Sequence, residues 1–456
     1  MNNIIDNYKF SKYNKLLKVQ NKIYLYNFFT GGFASFSPEY EDLVSNCDFI
    51  SEADLKKLTQ VNNSLIEELI YGGFLIDKNV SEFKVLKTLH SLARFKGANT
   101  LVLTLLPTLG CNFRCPYCFE QGSNYPTSHM SEEVMDAIVD YIDDNLYENG
   151  SLMLSWYGGE PLVALQTIEK LYKKITVLTN KKNITITSSM ITNGYFLTKD
   201  VVERLLKMDL SHLQVTIDGP REIHNETRIL PNGKGTYDRI IDNIKEIDDR
   251  VNLSIRVNIQ KQNFKYFNLL VEDLIKEDLN KKENIRIYCA PVRDFGTENN
   301  TIYSTCFTTN EFAQEEIKMN NILEDNGFIV GDDINPNISV CGAISENAIV
   351  IEPDGTLQKC WNVVGDKGES VGNILHSPEN LDNNSKEMIN LSKWYAWSAY
   401  EDDKCKSCPV LPQCMGGCPY YTVNKNIIFE EQEYRCSPNK YNIENKLVRL
   451  TGKGGG

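Results

Sequence analysis

From Leu101 onward the chain alternates short apolar, β-prone runs with longer stretches in which apolar residues recur at helical spacing. The runs fall at 101–106, 151–156, 183–191, 211–217, 252–259 and 284–289. That alternation predicts an α/β fold, a parallel sheet wrapped by helices. One helix start is explicit: Ser131 precedes Glu132 and Glu133, so a hydroxyl cap and two acids open the amphipathic stretch to Ile142. Six such units predict an incomplete (β/α)6 barrel over residues 96–295. Ligands of these sheets collect beyond the carboxyl ends of the strands, which directs attention to the residues just after each run.

Residues 1–95 follow another pattern, that of a small α+β unit. Lys15–Val19, Lys22–Phe29 and Phe33–Phe36 alternate as strands between Asn and Gly-Gly turns. Ser51-Glu-Ala-Asp54 resembles a capping box, Leu65–Ile70 has helical spacing up to Gly72-Gly73, and Phe74–Asp77 reads as a returning strand. Cys47 reads as a packed thiol. A connecting helix is expected over 84–97, with His90 at the surface or in the core. Residues 296–340 form a bridging region, 341–450 a cysteine-rich unit, and Gly452–Gly456 a disordered tail.

A chain of 456 residues is too long for one core. Its 41% hydrophobic and 24% charged residues are those of a globular protein. The net charge of −13 argues against a nucleic-acid partner. No run approaches the roughly 18 apolar residues of a membrane span, and Met1–Asp6 lacks the features of a signal peptide. The expectation is a cytoplasmic protein without a membrane partner. Thirteen cysteines in a reducing compartment then point to metal or redox chemistry rather than disulfides.

The densest chemistry is Cys111-Asn-Phe-Arg-Cys115-Pro-Tyr-Cys118, a C-x3-C-x2-C loop just after the first apolar run. Thiolates hold iron–sulfur clusters. Three of them leave one iron of a four-iron cluster open to a small ligand. A zinc ion held by these three alone lacks its fourth donor, and three thiols cannot pair as disulfides. The spacing, with Tyr117 before the last cysteine, resembles the signature of the radical S-adenosylmethionine (SAM) superfamily. That resemblance implies that Cys111, Cys115 and Cys118 are the catalytic cluster ligands, that the open iron takes the amine and carboxylate of SAM, and that Tyr117 lies beside the adenine.

The residues after the next strands extend the resemblance. Gly158-Gly159-Glu160-Pro161 resembles the family's SAM-amine contact, with Glu160 as acceptor. Thr192-Asn193-Gly194 resembles its ribose contact at Asn193. Thr216-Ile-Asp218-Gly219 resembles a Ser-x-Asp-Gly stretch whose hydroxyl meets the SAM carboxylate; Thr216 replaces the commoner Ser and keeps the donor. His224-Asn-Glu-Thr-Arg228 is similar to a stretch of peptide-modifying members, and Arg228 can pair with a carboxylate of SAM or peptide, or form a solvated salt bridge. Arg256 and Asn258, two apart on one strand, share a face, but spacing does not say which face is the barrel interior.

Seven more cysteines follow as Cys341, Cys360, Cys405-x2-Cys408-x5-Cys414-x3-Cys418 and Cys436, with Gly355 ahead of Cys360. Alone, the 405–418 group reads as a zinc ribbon. The whole order resembles the SPASM extension of radical SAM enzymes. That implies an inner auxiliary cluster on Cys341, Cys360 and Cys418 and an outer one on Cys405, Cys408, Cys414 and Cys436, so three [4Fe-4S] clusters in all. The inner set is one ligand short, and Asn335–Val340 supplies no cysteine. Either Cys289 or Cys306 completes it, or an iron stays open to a substrate thiolate. Sulfatase-maturing relatives carry an Asp directly after the second motif cysteine; here that residue is Trp361.

Strands, then helices, then a hairpin in residues 1–95 resemble the winged-helix-like domains that bind precursor leader peptides by strand addition. Together these resemblances imply a SAM-dependent maturase that installs a cysteine thioether, of sactipeptide or ranthipeptide kind, in a ribosomally made precursor with a leader. Its electrons are expected from a flavodoxin- or ferredoxin-type donor. The rival readings are a carbon–carbon crosslinking or epimerising maturase, a sulfatase maturase, and a non-enzymatic zinc-ribbon interaction protein.

Overall fold

The computed structural model describes residues 7–19, 22–36, 63–97, 99–118, 128–293, 303–331, 334, 336, 340–376, 385–424 and 434–453. Cys47, the capping box at Ser51 and most of the 335–340 segment lie outside these residues. The N-terminal unit has strands β1 (Tyr8–Phe10), β2 (Asn14–Val19), β3 (Lys22–Asn27) and β4 (Phe33–Phe36), then helix α1 (Asn63–Tyr71) and β5 (Leu75–Asp77). β2, β3 and β4 form an antiparallel meander, and β1 pairs antiparallel with β5. The meander packs outward onto the cysteine-rich third: Tyr13, Leu17 and Phe28 share one buried cluster with Trp394, Trp397 and Leu411.

Helix α2 (Glu82–Phe95) is capped by the Ser81 hydroxyl and ties this unit to the rest. Its buried Arg94 donates to the carbonyls of Ile344, Trp397 and Tyr395 at 3.0, 3.0 and 2.8 Å. His90 lies in the core, where burial and the neighbouring Arg94 push its pKa down to about 4, so the ring is neutral.

The central sheet contains β6 (Thr100–Leu105), β7 (Ser151–Trp156), β8 (Thr185–Thr192), β9 (Leu210–Thr216), β10 (Asn252–Ile259) and β11 (Ile285–Pro291), all parallel and in chain order. Each expected run is therefore a strand, its bounds shifted by two residues at most. Helices α3 (Glu132–Asn145), α4 (Leu165–Lys182), α5 (Lys199–Leu206), α6 (Arg221–Thr227), α7 (Tyr237–Lys245) and α8 (Phe267–Lys276) fill the connections. The Ser131 hydroxyl accepts from the Val134 N–H at 3.3 Å, the cap its sequence calls for.

The sheet does not end at β6. After α9 (Thr309–Asp325), strand β12 (Ala348–Ile351) pairs parallel with β6, and β13 (Thr356–Gln358) and β14 (Gly372–Asn373) extend it antiparallel. The edge that β11 would occupy in a closed barrel is thus covered by the cysteine-rich third. Cys360 lies two residues past the end of β13. Short helices α10 (Lys386–Ala396), α11 (Asp403–Lys406), α12 (Leu411–Cys414) and α13 (Tyr420–Val423) precede α14 (Asn439–Lys453). The tail expected from Gly452 is corrected in its first two residues, since Gly452 and Lys453 complete α14. No described helix is long and apolar enough to cross a membrane.

Candidate active site

The loop after β6 is folded by its own hydrogen bonds. The Phe113 N–H donates to the Cys111 sulfur at 3.4 Å, the Cys118 N–H to the Cys115 carbonyl at 3.1 Å, and the Arg114 N–H to the Ile229 carbonyl at 2.9 Å. The loop after β7 closes against it. Gly158 has φ +124°, and a Cβ there would lie 2.3 Å from the Thr108 carbonyl oxygen; one on Gly159 would lie 2.4 Å from that of Leu109. Only glycine permits this approach, so the pair forms one wall of the cysteine loop.

A cavity of about 290 Å³ opens above these loops. Cys111, Cys115 and Cys118 line it on one side, with Tyr117 among them; Gly158, Gly159 and Asn193 form the adjoining wall. Thr216 and Arg228 line it too, and so do Arg256 and Asn258, which puts that shared face of β10 inside. Glu160 is the exception. It is fully buried, and its carboxylate accepts from the Leu162 N–H at 3.0 Å, the Thr192 hydroxyl at 2.7 Å and the Asn193 N–H at 2.7 Å. Its visible work is to fasten the end of β8 to the loop after β7, which sets the direction of Asn193.

From the cavity wall inward runs a polar chain. The Tyr117 hydroxyl donates to Asp218 and accepts from Arg228 Nη1 at 2.8 Å. Burial and the Asp218 carboxylate push that phenol well above its ordinary value, so it is a neutral donor. His224 accepts from the Asp218 N–H at 3.4 Å through Nδ1 and lies 3.1 Å from the Thr236 hydroxyl through Nε2. The Thr236 proton is committed to the Arg228 carbonyl at 2.6 Å, so the ring carries its proton on Nε2. Burial and Arg228 hold His224 well below the usual histidine range, hence neutral. Two buried atoms, Asp218 Oδ1 and Arg228 Nε, have no partner among the described residues; unmatched groups beside a cavity mark where a polar ligand completes the network.

The seven later cysteines gather in two groups. Cys360 has Cys418 and Cys341 as neighbours. Cys405, Cys408, Cys414 and Cys436 line one small cavity with Leu411 and Arg435. Lys440 Nζ donates to Cys436 Sγ at 3.7 Å, and Arg435 Nη2 to Cys405 Sγ at 3.5 Å. Among the described residues no three His, Cys, Asp or Glu side chains converge as ligands of a single ion; the sulfurs surround volumes instead. Burial pushes up the thiols of Cys111, to about 12, and of Cys405 and Cys418, to about 11. Grouped thiols that resist ionising alone are ionised by a metal group, whose charge replaces their protons. The donor sets therefore fit iron–sulfur groups. Of the two upstream thiols, buried Cys306 has Arg293 and Tyr421 as neighbours, which also neighbour Cys418. Cys289 has Glu316 instead.

Sequence reasoning missed the residues that join the two regions. Trp361 and Asn362, immediately after Cys360, line the same cavity as the Cys111 loop, and so does Arg293, just past β11. Trp361 stacks on Tyr157 with ring centroids 4.9 Å apart and donates from Nε1 to the Thr104 hydroxyl at 3.2 Å. The available signal was that Trp361 replaces a family acid; nothing marked Arg293.

A parallel sheet in chain order with a three-thiol loop at its carboxyl end defines an enzyme class, and residues 105–274 match the model of the radical SAM superfamily. These residues form a radical SAM domain, and the chain that carries it is an enzyme; the radical SAM superfamily uses SAM and a [4Fe-4S] cluster. Among its relatives are a cysteine-type anaerobic sulfatase-maturating enzyme of Clostridium novyi, 24% identical over 328 residues, covering 68% of this chain and 84% of the relative. The radical SAM cyclopropyl synthase TigE of Paramaledivibacter caminithermalis is 22% identical over 390 residues, covering 78% and 76%. The fold is shared with Streptococcus suis SuiB, solved bound to precursor peptide SuiA, at TM-score 0.51 and 16% identity over 94% of this chain and 99% of that one.

Proposed function

We propose that this enzyme modifies a ribosomally made precursor peptide and installs a thioether between a peptide cysteine sulfur and a peptide carbon. One observation carries the reading: the catalytic thiol loop and the residue after inner-set Cys360 line a single cavity. A peptide side chain in that cavity meets both. The inner set offers three thiols, which suits a fourth ligand from the substrate cysteine. When bound, the cluster and SAM supply a 5′-deoxyadenosyl radical that removes a hydrogen from carbon.

The chain's own residues hold and orient. Cys111, Cys115 and Cys118 would ligate the catalytic cluster. Thr216 and Arg228 would hold the carboxylate of SAM, Asn193 its ribose, and the Gly158–Gly159 backbone its amine. The Tyr157–Trp361 stack walls the site and limits water. The outer set, Cys405, Cys408, Cys414 and Cys436, would suit electron entry from a flavodoxin- or ferredoxin-type donor.

The N-terminal unit supports a peptide substrate. The likeness to SuiB spans 94% of the chain and leaves out fewer residues than this unit contains, so it takes in most of it. The sulfatase-maturase relative covers 68%, and Trp361 stands where such enzymes carry an acid. The cyclopropyl synthase relative favours a second reading, carbon–carbon bond formation. Co-expression with the precursor separates the two. A thioether removes the mass of two hydrogens and one titratable thiol per link; the same mass loss with every thiol still reactive establishes the carbon–carbon reading instead.

A further inference from the structure

Arg293 is a guanidinium with no carboxylate partner among the described residues. It leaves the end of β11 and donates from Nη1 to the Phe307 carbonyl at 2.6 Å and from Nη2 to the Thr309 hydroxyl at 3.1 Å. Among the described residues it belongs to no ion pair, in a chain whose net charge is −13. Its carbon Cζ lies 5.0 Å from the centroid of the Tyr434 ring. That ring lies 6.0 Å from the ring of Tyr421, three residues past Cys418. The next residue along, Arg435, accepts the Cys418 N–H on its carbonyl at 3.0 Å. The other side of Arg293 faces the catalytic cavity, in the wall shared with Trp361 and Asn362. One fixed cation thus stands between the cavity and the inner cysteine set.

The outer set differs. Two cations lie beside it: Lys440, which donates directly to Cys436, and Arg435, paired with Asp402 at 2.9 Å so that its charge beside Cys405 is largely cancelled. A carboxylate opposite Arg293 would cancel it in the same way, and none is found among the described residues. An uncancelled cation in a partly desolvated wall stabilises whichever state of its neighbour is more negative. Net charge and nearby donors are what set the potential of a thiolate-held cluster.

We propose that Arg293 is a positioning residue for electron transfer: its charge favours the reduced form of the inner cluster on Cys341, Cys360 and Cys418, and raises that cluster's reduction potential above the value it has without the cation. The couple is one electron, with no proton or bond exchanged by Arg293. In thioether formation, joining a thiolate to a carbon radical releases one electron, and a raised potential makes the inner set its acceptor. The proposal rests on the reading of these three cysteines as cluster ligands.

The test is a redox titration followed by electron paramagnetic resonance on anaerobically reconstituted full-length enzyme. Cys111, Cys115 and Cys118 are changed to Ala so that only auxiliary signals remain, and the outer cluster serves as internal control. Arg293→Gln should lower the reduced-to-oxidised ratio of the inner cluster at least tenfold at fixed ambient potential, about 59 mV for one electron, with the outer cluster unmoved. Arg293→Lys keeps the charge while losing the two-armed hydrogen bonding, and should restore most of the ratio. An unchanged ratio in the Gln variant overturns the proposal. Should the Gln variant fail to load the inner site, a Lys variant that falls tenfold overturns it too, because charge would then not be the cause, whereas a Lys variant that holds the parent ratio upholds it. Absence of any auxiliary iron–sulfur signal in the parent defeats this proposal and the ligand reading together; auxiliary signals with no response to Arg293 defeat this proposal alone.

Discussion

At the scale of single residues the site is a set of side chains whose charges are settled by their neighbours. Tyr117 illustrates it, a neutral phenol that joins Asp218 to Arg228 at the cavity wall. Tyr117→Phe removes an acceptor from a buried guanidinium, a loss of about 1–3 kcal/mol. Part of this should appear as weaker SAM binding, by roughly tenfold for each 1.4 kcal/mol, readable by equilibrium dialysis; unchanged affinity would separate the network from the ligand. Much of the residue scale was legible because thiol spacing is a local signal. Cys111, Cys115 and Cys118 fall on one loop, and Cys405, Cys408, Cys414 and Cys436 on one cavity. Glu160 was not legible. A carboxylate beside paired glycines looks like a ligand in the sequence, and only the fold reveals three donors from its own chain. Arg293 follows a strand with no motif around it, so its place in the wall depended on the fold alone.

At the scale of elements, strand and helix periodicity sufficed for β6 to β11, whose buried runs are long enough to stand out. It did not suffice for β12, β13 and β14. Strands of four, three and two residues carry no periodic signal, and β12 pairs with a strand far earlier in the chain. The faces of β10 were equally hidden, since period-two alternation makes them equivalent until neighbours are placed. β4 is an edge strand of the N-terminal meander, and its Ser35 is exposed. The Asn27 N–H donates to the Gly32 carbonyl at 2.9 Å, so alternation along the ladder turns the Ser35 N–H away from β3. Ser35→Pro should therefore leave the meander paired while blocking strand addition. Leader-peptide affinity should fall at least tenfold, with peptide-free SAM cleavage unchanged; an unchanged affinity would move the leader site off this edge.

At the scale of the whole molecule, three regions that read as separate units in the sequence are built onto one another. The meander packs on the cysteine-rich third, Arg94 pins α2 to it, and β12 to β14 carry it along the barrel sheet. This brings the Cys111 loop and the segment after Cys360 to one cavity. Three four-iron groups require about twelve irons and twelve sulfides per chain, and anaerobic reconstitution should approach that count, whereas zinc without sulfide would contradict it. The most direct test of the account is the formation of 5′-deoxyadenosine by the reconstituted enzyme supplied with SAM and a strong reductant. The account predicts steady release by the parent chain and none by Cys115→Ala. Equal release by both, or none by a parent fully loaded with iron, would contradict it.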